Sequence, residues 1–265
     1  MKKLKRAFKR NTHNFVFKGL AGFGRSMNRL YENRNHDHYS NGELTVIKKL
    51  VRFNPTCIID GGANIGKYSM LLQQYLPQCK VYAFEPVKST YEELANQIKP
   101  YTNIEAINKG FFSETCTKEI HLFDSNTHSS LYDIKGISYH STDAVKIDLI
   151  RGDEFIHERK IDKVDLLKLD LEGAEFDAIK GFETCFKNKQ IRAVQFEYGY
   201  INISTKHLLI DYYAMFEANG YLLGKIFPKT VEFRAYKFKH EDFLGPNFIA
   251  VNKDEKDLIE ALKKK

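Results

Sequence analysis

Along the chain, short apolar runs alternate with segments whose apolar positions recur every three or four residues. That is the pattern of strands feeding helices in an α/β domain. The runs are Cys57-Ile58-Ile59, Val81 to Phe84, Ile104 to Ile107, Val164 to Leu169, Ile191 to Phe196, Tyr221-Leu222-Leu223 and Phe248 to Val251. The intervening helices are marked by Leu44, Ile47, Leu50 and Val51; by Met70, Leu71 and Tyr75; by Tyr91, Leu94 and Ile98; by Phe176, Ile179 and Phe182; and by Leu208, Leu209, Tyr212, Tyr213 and Phe216. Residues 111–148 break this rhythm. Glu119 to Phe123 and Ala144 to Ile147 alternate as strands, joined through a long polar loop from Asp124 to Leu131.

The candidate chemistry sits where the strands end. The first run leads into Asp60-Gly61-Gly62-Ala63-Asn64-Ile65-Gly66. Glycines there permit a tight turn and close backbone approach, and the following helix presents unpaired N–H groups. Nineteen residues after Gly66, the second strand ends in Glu85, the position from which an acid takes ribose hydroxyls in open α/β sheets. Gly61, Gly62 and Gly66 do not fit the G-x-G-x-x-G spacing of dinucleotide sites, which disfavours a nicotinamide-dependent oxidoreductase. Asp60 at the mouth of the first strand repels pyrophosphate and suits an ammonium or sulfonium group, so sign favours S-adenosylmethionine. Further acids follow later strands: Asp170, Glu172 and Glu175, then Glu197. Lys168 interrupts an otherwise apolar strand and must pair with a carboxylate or reach the crevice.

These residues resemble the FkbM family of class I S-adenosylmethionine-dependent methyltransferases. The likeness rests on Asp60 to Gly66 with Tyr68-Ser69, on Phe84-Glu85-Pro86, and on Leu167-Lys168-Leu169-Asp170-Leu171-Glu172-Gly173-Ala174-Glu175 with Gly181. It ends in Glu241-Asp242-Phe243 and Asn247-Phe248-Ile249-Ala250. The resemblance implies an α/β, Rossmann-like class I methyltransferase fold: a seven-stranded, mostly parallel sheet with helices on both faces and an antiparallel last strand. It implies O-methyl transfer, often onto sugars or other hydroxylated acceptors, and puts Asn108 where this fold contacts adenine. Expected cofactor contacts are thus Asp60, Gly61, Gly62, Asn64, Gly66, Glu85, Asn108 and Asp170. An acceptor hydroxyl needs a base, and the candidates are Asp170, Glu172, Glu197 and His128. Asp170 and Glu197, on neighbouring strand tips, could instead hold Mg²⁺. The alternative is an inactive fold that binds S-adenosylmethionine or partner proteins as a scaffold.

Charge changes the picture at one end only. The net charge is +7, yet residues 1–34 hold ten Lys/Arg and one acid, leaving the rest at −2. The body therefore gives no support to a nucleic-acid role. The expected division is a basic helical arm over 1–40, the methyltransferase domain over 41–252 and a charged, frayed tail over 253–265. The arm reads as a membrane-surface or anionic-glycan contact, or as a solvated helix, an oligomer contact or a disordered tail. Asn35 to Ser40, with His36 and His38, reads as part of an acceptor-site lid or as a plain connecting loop. No run is long enough to span a bilayer, no secretory signal is evident, and four scattered cysteines lack C-x-x-C spacing, so reduced thiols in a cytoplasmic protein are expected.

Overall fold

The computed structural model describes residues 2–123, 129–132 and 141–265. Its centre is an eight-stranded sheet. In chain order the strands of this sheet and of the smaller one are β1 (Cys57–Gly61), β2 (Lys80–Phe84), β3 (Ile104–Ile107), β4 (Gly110–Phe111), β5 (Cys116–Phe123), β6 (Ser129–Ser130), β7 (Ser141–Ile150), β8 (Leu166–Leu169), β9 (Ala193–Glu197), β10 (Tyr221–Phe227), β11 (Thr230–Phe233) and β12 (Asn247–Asn252). The helices are α1 (Lys2–Arg10), α2 (Phe15–Tyr31), α3 (Glu43–Leu50), α4 (Lys67–Tyr75), α5 (Lys88–Gln97), α6 (Gly152–Glu158), α7 (Glu175–Lys180), α8 (Glu183–Lys187), α9 (Ile201–Thr205), α10 (Leu209–Ala218) and α11 (Lys256–Lys263).

The large sheet runs β11-β10-β12-β9-β8-β1-β2-β3. β3, β2, β1, β8 and β9 are mutually parallel, whereas β12 runs antiparallel between β9 and β10. This is the Rossmann-like class I methyltransferase arrangement, with the seven expected strands present. The eighth, β11, returns from β10 through Pro228 and Lys229 and extends the edge. Alternation sorts the strand residues onto two cores. Ile59, Leu167, Val194 and Phe196 pack with Phe155, Ile179, Phe182, Tyr212 and Phe216 on one face. Ile58, Leu166, Ala193 and Ile249 pack with Ile47, Leu71, Leu72 and Leu94 on the other. Each fully buried aliphatic side chain contributes about 1.5–3 kcal/mol.

One row across the second face is polar. Asp60 on β1 pairs in register with Lys168 on β8, and Lys168 with Gln195 on β9. All three are buried. The smaller sheet, ordered β4-β7-β5-β6, brings Ile120, Ile147 and Leu149 against Val87 just beyond β2.

Two expectations need correction. The chain from Lys253 onward is not a frayed tail: α11 buries Leu258, Ile259 and Leu262. These three lie on one helical face, and their burial outweighs the charged composition between them. The strand expected at Tyr221-Leu222-Leu223 continues to Phe227 and buries Lys225, whose ammonium pairs with Glu32 at 2.8 Å.

Candidate functional site

The turn after β1 is held from several sides. The N–H groups of Gly62 and Ala63 donate to the Phe84 carbonyl at 3.0 and 2.8 Å, stitching the turn to the end of β2. Gly62 has φ +78°, and a Cβ there would lie 1.9 Å from the carbonyl oxygen of Asp170. Gly66, at φ +88°, starts α4 with no side-chain cap, and a Cβ there would meet Leu94 at 2.7 Å. Asn64 also has positive φ, 49°, and its N–H donates to Glu85 at 3.1 Å. Glu85 accepts a second bond from the Val87 N–H at 2.9 Å. Burial nevertheless pushes the Glu85 carboxyl up to about 7, despite those two donors.

Behind the turn lies an ion-pair hub. Lys168 Nζ sits 3.1 Å from Asp170 and 3.7 Å from Asp60, and 4.9 Å from the centre of the Tyr68 ring. Burial works against its charge, but Asp170, Asp60 and Glu43 outweigh that and raise its pKa. Asp60 accepts from Ser69 at 2.6 Å through one oxygen, and its other oxygen has no hydrogen bond. Burial raises the Asp60 pKa in spite of Lys168 and Ser69. Glu43 closes the far side. It accepts from Gln195 at 2.6 Å and Asn41 at 2.8 Å and pairs closely with His38. Burial opposes its ionisation, but His38 and Lys168 hold its pKa down.

Three clefts meet in front of this hub, and Glu172 borders all of them. The first, about 110 Å³, runs from Gly62, Asn64 and Glu85 to an apolar wall of Phe111, Ile120, Ile147 and Leu149. The second, about 260 Å³, lies over the turn and reaches His36, His38, Asp170 and Glu197. The third, about 170 Å³, is walled by Arg34, His36, Glu197, Tyr198, Tyr200 and Phe243. Glu172 is held at φ 48°, and its carbonyl accepts from the buried Ser130 hydroxyl of the smaller sheet at 2.7 Å. Burial, then Asp170 and Glu175, push Glu172 up to about 8. Burial and the charges of Asp170 and Glu172 raise Glu197 likewise. Burial and mutual repulsion among these carboxyls thus raise Glu172 and Glu197, and a cation would relieve that repulsion.

Residues 60–223 match the methyltransferase FkbM domain, which is most of the chain. The chain belongs to the FkbM methyltransferase family. It is similar to methyltransferase sdnD of Sordaria araneosa, 28% identical over an alignment of 155 positions that covers 48% of this chain and 60% of that protein. It is also similar to methyltransferase 1 of Beauveria bassiana, 26% identical over an alignment of 144 positions that covers 48% of this chain and 58% of the relative. The chain thus matches about three fifths of the length of these curated relatives. A solved FkbM methyltransferase from Methylobacillus flagellatus KT aligns with a TM-score of 0.46 at 16% identity, covering 74% of this chain and 44% of that one.

Within this FkbM domain the expected site residues divide. Gly62, Asn64, Glu85, Asp170, Glu172 and Glu197 border the clefts. Gly61 and Gly66 shape the turn, packed against Leu169 and Leu94. Asp60 is fully buried behind the turn, in the hub, and borders none of the three clefts. The amide of Asn108 donates to the carbonyls of Glu85 and Pro86 at 2.9 and 3.0 Å, so it braces the end of β2. Glu175 accepts from the N–H groups of Leu171 and Gly173, closing the loop before its own helix. His128 lies outside the described residues. Asp170 and Glu197 share the second cleft, but among the described residues no group of three or more His, Cys, Asp or Glu is arranged to hold a metal ion. Lys168 supplies a cation beside Asp170 instead.

Of the two readings of the connector, the site-bordering one fits its position: His36 and His38 border the second cleft, and His36 Nδ1 lies 3.9 Å from Glu197. It is tied down by Glu32 on Lys225 and by the Asn33 amide, which donates to the carbonyls of Asn41 and Ile226 at 2.7 and 3.1 Å.

Proposed function

We propose that this chain is an S-adenosylmethionine-dependent O-methyltransferase acting on a hydroxyl of a sugar or glycan. The observation that carries the reading is that Glu85 and Asp170, from strands on either side of β1, border the same cleft across Gly62. When bound, S-adenosylmethionine supplies an activated methyl group for in-line displacement. The protein's part is to position the acceptor and remove its proton. Glu85 holds the ribose hydroxyls. The apolar wall of Phe111, Ile147 and Leu149 takes the adenine face. The backbone at Gly62 and Asn64 takes the methionine part, and the acid rim fits its positive charge.

In the third cleft, Tyr198 stacks on Phe243 at 21° between ring planes, with Glu197, His36 and Arg34 around them. Aromatic faces edged by polar groups suit a sugar ring. Asp170 is the proposed base, oriented by Lys168 at 3.1 Å; Glu197, paired with His36, stands next to it. The Lys168 ammonium beside Asp170 disfavours Mg²⁺ between Asp170 and Glu197.

Calorimetry with S-adenosylmethionine, S-adenosylhomocysteine and NAD tests the cofactor, and a labelled-methyl assay on cell-envelope extracts, with and without chelator, tests transfer. Asp170→Asn should keep cofactor binding and lose transfer. Binding without transfer by the native chain would favour the scaffold reading, and binding of NAD alone would overturn the whole reading.

A further inference from the structure

The N-terminal helices carry an apolar face that the body does not cover. α2 buries none of its residues. Val16, Leu20, Phe23, Met27 and Leu30 follow a spacing of four, three, four and three, which lines them along one side of the helix, with Tyr31 beside them. All six are exposed, Phe23 at 67% and Leu30 at 73%. At about 100° per residue, Lys18, Arg25 and Arg29 fall on the opposite side. α1 folds back so that Phe8 meets Phe17 edge to face at 5.0 Å, and it carries six further basic residues. Residues 1–31 contain no Asp or Glu.

We propose that α1 and α2 dock on an anionic lipid surface and so hold the clefts against it. Two observations select this occupant. A second copy seated along the same stripe would bring together two arms of nine positive charges each, with no acid among residues 1–31 to offset them. An anionic glycan would satisfy the charges but leave the apolar stripe in water. A lipid surface satisfies both, because the stripe enters the acyl boundary while the basic residues meet headgroups. The helices lie on the bilayer: among the described residues no helix is long and apolar enough to cross it. Glu32, the acid that directly follows α2, is turned inward onto Lys225, which keeps it off the docking face. Arg34 and His36, just beyond α2, border the acceptor cleft, so docking brings that cleft to the membrane. The inference rests on the reading above for its consequence, that the hydroxylated acceptor is lipid-anchored, but the docking itself does not.

The experiment uses the full chain with vesicles of phosphatidylcholine alone and of phosphatidylcholine mixed with phosphatidylglycerol, read by co-sedimentation and by light scattering of the free protein. Binding to the mixed vesicles, lost at high salt and weak on phosphatidylcholine, is expected. Phe23→Ser and Leu20→Ser should each lower it about tenfold or more, since each removes an aromatic or aliphatic group from the acyl boundary. Lys18→Gln/Arg25→Gln/Arg29→Gln should lower it on the mixed vesicles alone. All variants should keep the cofactor affinity of the native chain, which separates failure of docking from failure of the site. Absence of binding to mixed vesicles overturns the proposal. So does a stable dimer dissolved by Phe23→Ser, or capture by a soluble anionic polysaccharide that Phe23→Ser leaves untouched.

Discussion

Replacing Lys168 by Met tests whether the hub governs the site. The ammonium is 3% exposed and has Asp170 at 3.1 Å and Asp60 at 3.7 Å, with Glu43 and Tyr68 also facing it. Met keeps most of the volume and the contact with Tyr68, so the loss is electrostatic. Removing one partner of a buried pair typically costs about 3–5 kcal/mol. Asp60 bears most of this, because one of its oxygens already lacks a hydrogen bond. The cost depends on pH. The native Asp60 pKa is already raised, and without the lysine it rises further. An acid with a raised folded pKa binds more protons folded than unfolded, so stability falls as pH climbs from the ordinary carboxylate range to the folded value. Urea unfolding of Lys168→Met should therefore show a larger deficit at mildly alkaline than at mildly acidic pH. Adding Asp60→Asn should recover a large part of it, a coupling readable from a double-mutant cycle. A deficit below about 1 kcal/mol at neutral pH, or one independent of pH, would refute the hub as the organising element.

Other predictions bear on the turn, the rim and a distant brace. Gly62→Ala places a methyl 1.9 Å from the Asp170 carbonyl oxygen in a left-handed conformation; it should abolish detectable cofactor binding by calorimetry and lower Tm. Binding of S-adenosylmethionine near neutral pH should release protons, because a cation lowers the raised Glu85 and Glu172, at about 7 and about 8. Binding of S-adenosylhomocysteine, whose sulfur is uncharged, should release fewer, measurable as buffer-dependent enthalpy. Glu241 accepts from the N–H groups of Leu209 and Ile210 at the start of α10 and from the hydroxyls of Tyr198 and Tyr236. Glu241→Ala should cost about 2 kcal/mol in urea unfolding, in line with loss of a helix cap. Burial opposes the Glu241 charge, but these donors hold its folded pKa down. Its stabilising share is therefore present above the ordinary carboxylate range and lost as pH falls through that folded value.

Much of the architecture is written locally. Cys57 to Ile59, Val81 to Phe84, and Leu166, Leu167 and Leu169 are apolar because both sheet faces are covered, and Gly62 and Gly66 mark turns that a side chain would block. Lys168 was legible as a residue in need of a carboxylate, for burying an unpaired charge is prohibitive. The connector was legible only as two alternatives, a lid or a plain loop. His36 and His38 reach the clefts through Glu32 on Lys225 and Asn33 on Ile226, contacts separated by 193 positions that no local periodicity encodes. Asp60 was placed at the pocket because strand-end acids usually face ligands. The register opposite Lys168, which draws it inward, becomes visible only once β1 and β8 are paired.

The bond from Glu32 to Lys225 also sets where the arm can be trimmed. Lys225 is 1% exposed, with the Leu244 carbonyl as a further acceptor at 2.6 Å. A shortened chain starting a few residues before Glu32 would shed the sticky, basic helices and keep that ammonium neutralised. One starting at Asn35 would strip the carboxylate from a buried cation, and with it the anchor that keeps two histidines over the cleft.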